Sequence, residues 1–175
     1  MNKHNSDEKQ TYKMGINQFS DLTEEEFVAT YLGEQSISAD SKPVSIESVN
    51  AGFTAETDWR TKGIITDIKN QGQCGSCWAF AATAAHESYQ VQFKSQPRTI
   101  SLSEQQLVDC AKISPYENNG CNGGYAVRAL EYIKDFGQTT TDKYPYVAVD
   151  QTCKIQGGSY RPFGVAEGAG CEEIE

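Results

Sequence analysis

The sequence predicts an α+β protein whose helices lie in the middle of the chain. Helix formers or helix start signals mark three segments after residue 76. Shorter segments with alternating apolar residues precede them, and a glycine-rich stretch with the character of strands and loops follows residue 146. A chain of 175 residues can bury one ordinary core, so we expect one principal domain with an additional segment.

The composition argues against several classes of function. The formal net charge of −9 repels the phosphates of nucleic acids and anionic membrane surfaces, so we expect neither as a partner. No apolar run approaches the length of a membrane span, and the first residues do not look like a secretory signal. Residues 1–52 carry 9 Asp and Glu against 4 Lys and Arg, and they contain no cysteine. The first third of the chain therefore differs in character from the rest.

A helix start is the clearest local signal in that first third. Thr23 can serve as the N-cap, and Glu26 stands three residues later, where it completes a capping box. Leu22 and Phe27 have the spacing of a hydrophobic staple. We expect this helix to end at Gly33.

Two short strands and a linker are also predicted. Residues 12–21 and residues 63–68 alternate or cluster their apolar residues in the manner of short strands. Residues 34–52 are rich in Ser, Ala, Asp and Glu and have no periodicity, which is typical of an extended linker.

Start and stop signals define the first two of the three central helices. The first should cover residues 77–93, because strong helix formers follow Cys77 and Pro97 prevents a long continuation. The second should follow the N-cap Ser103, with Gln106 completing a capping box and Cys110 at the end.

The third central helix should cover residues 125–136, because its apolar residues recur at helical spacing. Gly137 provides its stop signal. We expect Ala126, Leu130 and Ile133 to form its buried face.

Six cysteines are too many to be incidental in a chain of this size. They fit disulfides, a zinc site or a redox pair. Zinc has little support, because no second Cys-x-x-Cys follows Cys74 and Cys77, and His4 and His86 do not form a pair at ligand spacing. A thioredoxin-like pair fits the helix behind the motif but lacks the surrounding strand-helix-strand pattern. At a helix N-terminus, where negative charge is stabilised, Cys77 is a candidate nucleophile.

Several stretches together resemble the papain-like cysteine proteases, the group that includes the cathepsins. The resemblance covers nearly the whole chain and its blocks occur in the family's order. It implies a papain-like fold, mainly the helical left domain, preceded by part of an inhibitory pro-segment. The division would be residues 1–52 for the pro-segment and residues 53–175 for the first half of the peptidase domain. The matching blocks are Gly15-x-Asn17-x-Phe19-x-Asp21, Asp58-Trp59-Arg60, Gln71-Gly72-Gln73-Cys74-Gly75-Ser76-Cys77-Trp78, residues 102–110, Cys121-Asn122-Gly123-Gly124-Tyr125 and Tyr144-Pro145-Tyr146.

The resemblance implies roles for individual residues. Cys77 would be the nucleophile, and the side-chain amide of Gln71 would stabilise the oxyanion together with the Cys77 backbone N–H. Alone, Gln71 would be read as an ordinary loop residue, and Trp78 as either a core aromatic or a shield over the catalytic pair. Helix-face packing is the alternative for Tyr125 and Ala126. The residues expected to bind substrate are Gly75, Ser76, Trp78, Gly123, Gly124, Tyr125 and Ala126.

The resemblance also implies a disulfide scheme. Cys74 would pair with Cys121 and Cys110 with Cys153, while Cys77 would keep its thiol. Cys171 has no partner in this scheme, which is a departure from the family pattern.

The histidines are the larger departure. The family's catalytic His lies about 130–150 residues after the cysteine, with an Asn or Asp in the same region, whereas 98 residues follow Cys77 here. His86 is nine residues along the same helix, so it faces away from Cys77 at a rise of roughly 13 Å. His4 lies in the pro-segment. We therefore expect a chain that is truncated before its general base.

By this resemblance the intact protein is a cysteine endopeptidase made as a zymogen, lysosomal or secreted, without a cofactor or metal. Its partners would be peptide or protein substrates and its own pro-segment. Two rivals remain. One is a non-catalytic protein that inhibits or binds proteases through its pro-segment, and the other is a thioredoxin-like oxidoreductase with a reversible bond between Cys74 and Cys77.

Overall fold

The computed structural model describes residues 1–32, 58–97 and 99–155. These residues contain two isolated bridge pairs and no strand. No helix among them is long and apolar enough to cross a membrane. A π-helical turn, Val28–Leu32, continues the second helix. The α-helices are α1 (Asn2–Asn5), α2 (Glu24–Phe27), α3 (Cys77–Phe93), α4 (Glu104–Cys110) and α5 (Ala126–Phe136).

The three helices predicted after residue 76 are confirmed. α3 begins at Cys77, and α4 follows Ser103. The side-chain cap of α4 is present, because the Gln106 N–H donates to Ser103 Oγ at 3.0 Å. Gly137 ends α5 with a φ of 74°, a backbone conformation that favours glycine.

The capping box predicted for α4 is wrong, because Gln106 is used elsewhere. Its Nε2 donates to the backbone oxygen of Gly137 at 2.9 Å, and its Oε1 accepts from the Thr139 N–H at 2.7 Å. The backbone N–H of Ser103 donates instead to the backbone oxygen of Thr139 at 2.8 Å. Gln106 is fully buried, so its amide must find partners inside the protein. It therefore joins α4 to the chain that follows α5.

One apolar core lies between α3, α4 and α5, with α3 packed against both of the other helices. All seven residues of α4 are buried, so a larger share of its residues is buried than in α3 or α5. The residues of this core are Trp78, Ala79, Ala82, Leu107, Val108, Cys110, Ala111, Tyr116, Ala129, Tyr132 and Ile133.

The buried face of α5 differs in part from the predicted one. Ile133 is fully buried as predicted, but its buried neighbours are Ala129 and Tyr132. Ala126 and Leu130 are only partly buried and pack against the edge of the core. All five positions belong to one helical face.

The strand predicted over residues 12–21 is wrong. The side chain of Asn5 hydrogen-bonds to both backbone groups of Met14. Its Nδ2 donates to the Met14 oxygen and its Oδ1 accepts from the Met14 N–H, each at 2.7 Å. Ser20 Oγ accepts from the Asn17 N–H at 2.8 Å. Local side chains thus satisfy backbone groups that a strand would pair with a neighbour.

The strand predicted over residues 63–68 is wrong as well. Side chains attach this segment to α3, because Thr66 Oγ1 donates to Glu87 Oε2 at 2.6 Å. Ile68, which would help to form an apolar strand face, is fully exposed. The segment runs along α3 without a strand partner among the described residues.

The helix start in the first third is confirmed in detail. The Glu26 N–H donates to Thr23 Oγ1 at 3.2 Å, and the Thr23 N–H donates to Glu26 Oε2 at 2.8 Å, which is a complete capping box. The helix then widens into the π-helical turn Val28–Leu32. The predicted stop at Gly33 and the predicted linker over residues 34–52 lie outside the described residues.

Candidate active site

Cys77 is the first residue of α3, a helix of 17 residues. Ser76 occupies the N-cap position, but its side chain does not cap the helix, because Ser76 Oγ lies 2.7 Å from Tyr146 Oη. Cys77 is half-buried and is not part of a disulfide. Its thiol therefore lies where the partial positive charge of a long helix can stabilise a negative charge.

Gln71 lies at the other end of the segment that leads to Cys77, residues 71–77, which we call the nucleophile loop. The side-chain Nε2 of Gln71 donates to the backbone oxygen of Cys74 at 2.8 Å. The same Nε2 donates to the backbone oxygen of Tyr31 at 2.8 Å. One amide group thus holds the nucleophile loop in shape and meets the first third of the chain.

Both disulfides implied by the resemblance are present, Cys74–Cys121 and Cys110–Cys153. The first joins the nucleophile loop to residues 118–124, which we call the glycine loop, and the Gly75 N–H donates to the backbone oxygen of Cys121 at 2.8 Å. With Cys74 bonded in this way, a redox pair with Cys77 loses one of its members. The described residues also include no group of three or more His, Cys, Asp or Glu side chains that could hold a metal ion.

Trp78 packs against the glycine loop and forms a hydrogen bond with it. It is 3% exposed, and its Nε1 donates to the backbone oxygen of Gly120 at 3.0 Å. A Cβ added to Gly124 would lie 2.8 Å from ring carbons of Trp78 and 2.6 Å from Asn118 Oδ1. That Asn118 oxygen accepts from the Tyr125 N–H at 2.7 Å. Gly124 is therefore required by close packing, and Trp78 has the environment of a core aromatic.

The seven residues expected to bind substrate fall into two groups. Gly124, Tyr125 and Ala126 are partly exposed and follow one another at the start of α5. The other four are buried, so none of them offers an exposed side chain to a substrate. These four are Gly75, Ser76, Trp78 and Gly123.

His86 is a buried core residue with both ring nitrogens engaged. Its Nδ1 lies 2.9 Å from Gln138 Oε1, and its Nε2 lies 2.9 Å from Gln90 Nε2. Because the amide nitrogen of Gln90 can only donate, His86 Nε2 accepts and Nδ1 carries the proton. Burial lowers the pKa of His86, which keeps the ring neutral. The ring is thus used to hold α3 to the chain after α5.

Two residues of the site had no predicted role. Tyr146 Oη donates to the backbone oxygen of Gln71 at 2.7 Å. Asp150 accepts from the Cys121 N–H at 3.2 Å and from Lys112 Nζ at 2.9 Å, so it fixes the glycine loop from outside. The block that contains Tyr146 is visible in the sequence, whereas nothing near Asp150 indicates its role.

Comparisons with known proteins agree with this arrangement. A model of the papain family of cysteine proteases matches residues 53–171, and a model of the cathepsin propeptide inhibitor domain (I29) matches residues 1–27. A cathepsin L-like proteinase of Fasciola hepatica is 44% identical over 162 residues, which cover 91% of this chain and 47% of that protein. Human cathepsin L2 is 43% identical over 155 residues, covering 88% of this chain and 44% of that protein.

Solved structures lead to the same family. A recombinant stem bromelain precursor aligns with a TM-score of 0.68 and 40% identity, covering 90% of this chain and 49% of the other. Digestive procathepsin L 3 of Tenebrio molitor aligns with a TM-score of 0.67 and 34% identity, covering 89% and 48%. The chain thus spans about half the length of the relatives it matches, and the predicted papain-like fold class is confirmed. The chain belongs to the papain family of cysteine proteases.

Proposed function

We propose that the protein is a papain-like cysteine endopeptidase that is made as a zymogen and hydrolyses peptide bonds through Cys77. The Cys77 sulfur attacks the carbonyl carbon of a peptide bond, the C–N bond breaks, and the amine leaves with a proton from the general acid. Water then hydrolyses the thioester, which releases the carboxylic acid and restores the thiol. Family membership and the position of Cys77 at the start of α3 support this reaction. It needs no cofactor.

The contact between Gln71 and Tyr31 is the observation that carries the proposal. An oxyanion hole consists of donors about 2.7–3.1 Å from the reacting oxygen. We assign Gln71 Nε2 as one donor and the backbone N–H of Cys77 as the other. Gln71 Nε2 donates at 2.8 Å to a peptide carbonyl, that of Tyr31. A carbonyl of the chain's own first third therefore uses a donor that a substrate carbonyl would need.

Two aromatic rings, those of Phe19 and Phe27, hold Tyr31 at that position. Phe19 contacts Phe27 and Tyr31 edge to face, with ring centroids 5.3 and 5.0 Å apart. Phe27 stacks on Tyr31 at 5.3 Å. Such pairs add about 0.5–1.5 kcal/mol each beyond their buried area. We infer that this cluster presents Tyr31 to Gln71, so that the pro-segment acts as an intramolecular inhibitor.

The division of the chain follows from this role. We assign residues 1–52 to the C-terminal part of the pro-segment and residues 53–175 to the N-terminal half of the peptidase domain. The two disulfides suit an oxidising compartment, which fits a lysosomal or secreted protein.

The substrate would lie along the glycine loop in an extended conformation. Backbone groups of Gly124 would pair with it, because extended peptides are recognised through main-chain hydrogen bonds. Gly123 is buried and its carbonyl accepts from the Asn119 N–H at 2.9 Å, so it would hold the loop in place. The exposed parts of Tyr125 and Ala126 would form the wall of a side-chain pocket. Peptide and protein substrates are therefore the expected partners of the cleft.

The general base is the part of this mechanism that the chain does not supply. The chain has two histidines, His4 and His86. The ring of His86 is fully engaged in the core, and His4 lies in the pro-segment. We infer that the base of the active protein lies outside residues 1–175 and that this chain alone is inactive. The same observation favours a second candidate function, a non-catalytic protein that inhibits proteases through its pro-segment.

Replacement of Cys77 and Gln71 in the full-length protein tests the proposal. Cys77→Ser should abolish cleavage of a fluorogenic peptide, and Gln71→Ala should lower kcat about 10²-fold because one oxyanion donor is lost. Gln73→Ala is the matched control, since Gln73 is an exposed residue of the same loop and should leave kcat unchanged.

Equal kcat values for the Gln71→Ala and Gln73→Ala proteins would contradict the assignment of the oxyanion donor. Cleavage that survives Cys77→Ser would contradict the whole mechanism. If the wild-type protein cleaves nothing but inhibits another papain-family protease, the second candidate function is correct.

A further inference from the structure

The hydroxyl group of Tyr146 joins the two parts of the proposed oxyanion site. Tyr146 Oη lies 2.7 Å from the backbone oxygen of Gln71 and 2.7 Å from Ser76 Oγ. Gln71 carries one proposed oxyanion donor on its side chain. Ser76 directly precedes Cys77, whose backbone N–H is the other. A single side chain, 70 or more residues away in the sequence, thus connects both ends of the nucleophile loop.

The direction of these two hydrogen bonds follows from the number of protons. A phenol has one proton, and Tyr146 donates it to the backbone oxygen of Gln71, because a carbonyl can only accept. The Ser76 hydroxyl must then donate to Tyr146 Oη. Its other contact, with the backbone oxygen of Cys74, is long at 3.5 Å and does not compete well for that proton. Burial raises the pKa of Tyr146, so the phenol remains a donor throughout the range in which a protease works.

The ring of Tyr146 is fixed as well as its hydroxyl. Phe80, one turn into α3, meets the ring edge to face with centroids 5.0 Å apart and planes at 85°. Ser76 is fully buried, so its hydroxyl has no water to replace a lost partner. Movement of Tyr146 would therefore disturb the start of α3 and the backbone at Gln71 together.

We propose that Tyr146 is a positioning residue that holds the Gln71 amide and the Cys77 N–H at the separation which the oxyanion requires. The inference rests on the proposed function and names a further residue of the same site. Tyr146 would not contact the substrate. Its hydroxyl would set the distance between two donors that must both reach one oxygen atom.

Tyr146→Phe in the full-length protein tests this role, with Tyr144→Phe as the matched control. Tyr144 belongs to the same Tyr-Pro-Tyr block, and its buried hydroxyl donates to Asp109 Oδ2 at 2.7 Å, away from the nucleophile loop. Both substitutions remove one hydrogen-bonded hydroxyl. Tyr146→Phe should lower kcat about 10-fold with KM changed less than about twofold, because donor misplacement costs transition-state stabilisation. Tyr144→Phe should lower the melting temperature and leave kcat unchanged.

Three further experiments separate a positioning role from a structural role. Alkylation of Cys77 by iodoacetamide forms no oxyanion, so its rate should change less than about twofold in Tyr146→Phe. Binding of a peptide aldehyde, which forms a tetrahedral adduct with Cys77, should weaken about 10-fold. In a Gln71→Ala background, Tyr146→Phe should lower kcat by less than it does in the wild-type background, because one of the two donors that it positions is absent.

Each outcome decides between the proposals. A wild-type kcat in Tyr146→Phe, or an equal loss of kcat in the Gln71→Ala background, overturns the positioning role and leaves the proposed function intact. Cleavage that does not depend on Cys77 overturns both. If Tyr146→Phe does not fold, Ser76→Ala removes the donor to Tyr146 from the other side. A fall in kcat with unchanged alkylation in Ser76→Ala then supports the role, and an unchanged kcat refutes it.

Discussion

The described residues fall into two regions, residues 1–32 and residues 58–155 apart from residue 98, which are held together in different ways. In the first region none of the residues is buried, and hydrogen bonds such as that between Asn5 and Met14 join residues at most nine positions apart. In the second region buried bonds cross long distances in the sequence, for example from Gln138 Nε2 to Thr83 Oγ1 over 55 positions. Two disulfides strengthen the second region further.

The difference suggests how one chain could contain both the proposed inhibitor and its target. The pro-segment keeps its shape through a capping box and three aromatic rings, which form and break locally. The core is stabilised by contacts that are lost only on global unfolding. Detachment of the pro-segment would therefore expose Gln71 without disturbing the groups that position it.

The largest change in stability is expected when the buried charge cluster of the core is disrupted. Lys69 Nζ contacts Glu87 at 2.5 Å and Glu104 at 2.7 Å, and both carboxylates are almost completely buried. Lys69→Met leaves two buried carboxylates without their cation, so the free energy of unfolding should fall by about 3–5 kcal/mol. Urea denaturation measures this change. The control is Lys112→Met, which removes the exposed pair with Asp150 and should cost about 0–1 kcal/mol. A similar loss of unfolding free energy in both variants would contradict the claim that the core depends on its buried charges.

His86 should make stability depend on pH, and this change in unfolding free energy is smaller than that expected for Lys69→Met. Burial lowers the pKa of His86 in the folded protein below its ordinary value of 6.5. Between these two pKa values the unfolded chain binds a proton that the folded protein does not, so stability falls as the pH drops below 6.5. The contribution of His86 is at most about 1.4 kcal/mol per pH unit.

Denaturation curves between pH 7 and pH 5 measure this contribution. His86→Gln should have a shallower slope than the wild-type protein over that range. An unchanged slope in His86→Gln would mean that the folded protein accommodates a charged ring at this position.

The smallest expected change in stability comes from replacing an N-cap residue, and the two N-caps to compare are Thr23 of α2 and Ser103 of α4. Each side chain accepts from the backbone N–H three residues later. Thr23→Ala should cost about 1 kcal/mol locally, which is about fivefold faster hydrogen exchange over Glu24–Phe27. The melting temperature should not change. Ser103→Ala also removes a donor to the backbone oxygen of Tyr144, so it should lower the melting temperature of the core.

Hydrogen exchange with mass spectrometry resolves the two regions. A lower melting temperature in Thr23→Ala would show that the pro-segment unfolds together with the core. That result would remove the distinction between a detachable segment and a fixed site.

The sequence predicted the helices well because their signals are local. The Thr23 capping box and the helix starts at Cys77 and Ser103 depend on residues within one turn, and each is present. The wrong capping box of α4 concerns a side chain whose partners are distant in the sequence. Gln106 has the right spacing for a capping box, but burial directs its amide to Gly137 and Thr139.

The candidate site shows the same limit. Cys77 and Gln71 are recognisable because the residues of the nucleophile loop are adjacent in the sequence. Periodicity and spacing do not reveal that Tyr146 reaches Gln71 from 75 positions away or that Tyr31 offers it a carbonyl. The alternating residues 12–21 failed as a strand because neighbouring side chains satisfy their backbone, which no alternation pattern reveals.

Trapping of the acyl-enzyme tests the central claim most directly. The full-length protein, freed of its pro-segment, is mixed with an activated peptide ester and quenched in acid, and the acylated residue is located by peptide mass spectrometry. The account predicts one acyl group on Cys77, formed much more slowly while the pro-segment is attached and Tyr31 still contacts Gln71. Peptide cleavage with an acyl group on another residue, or with none, would contradict it.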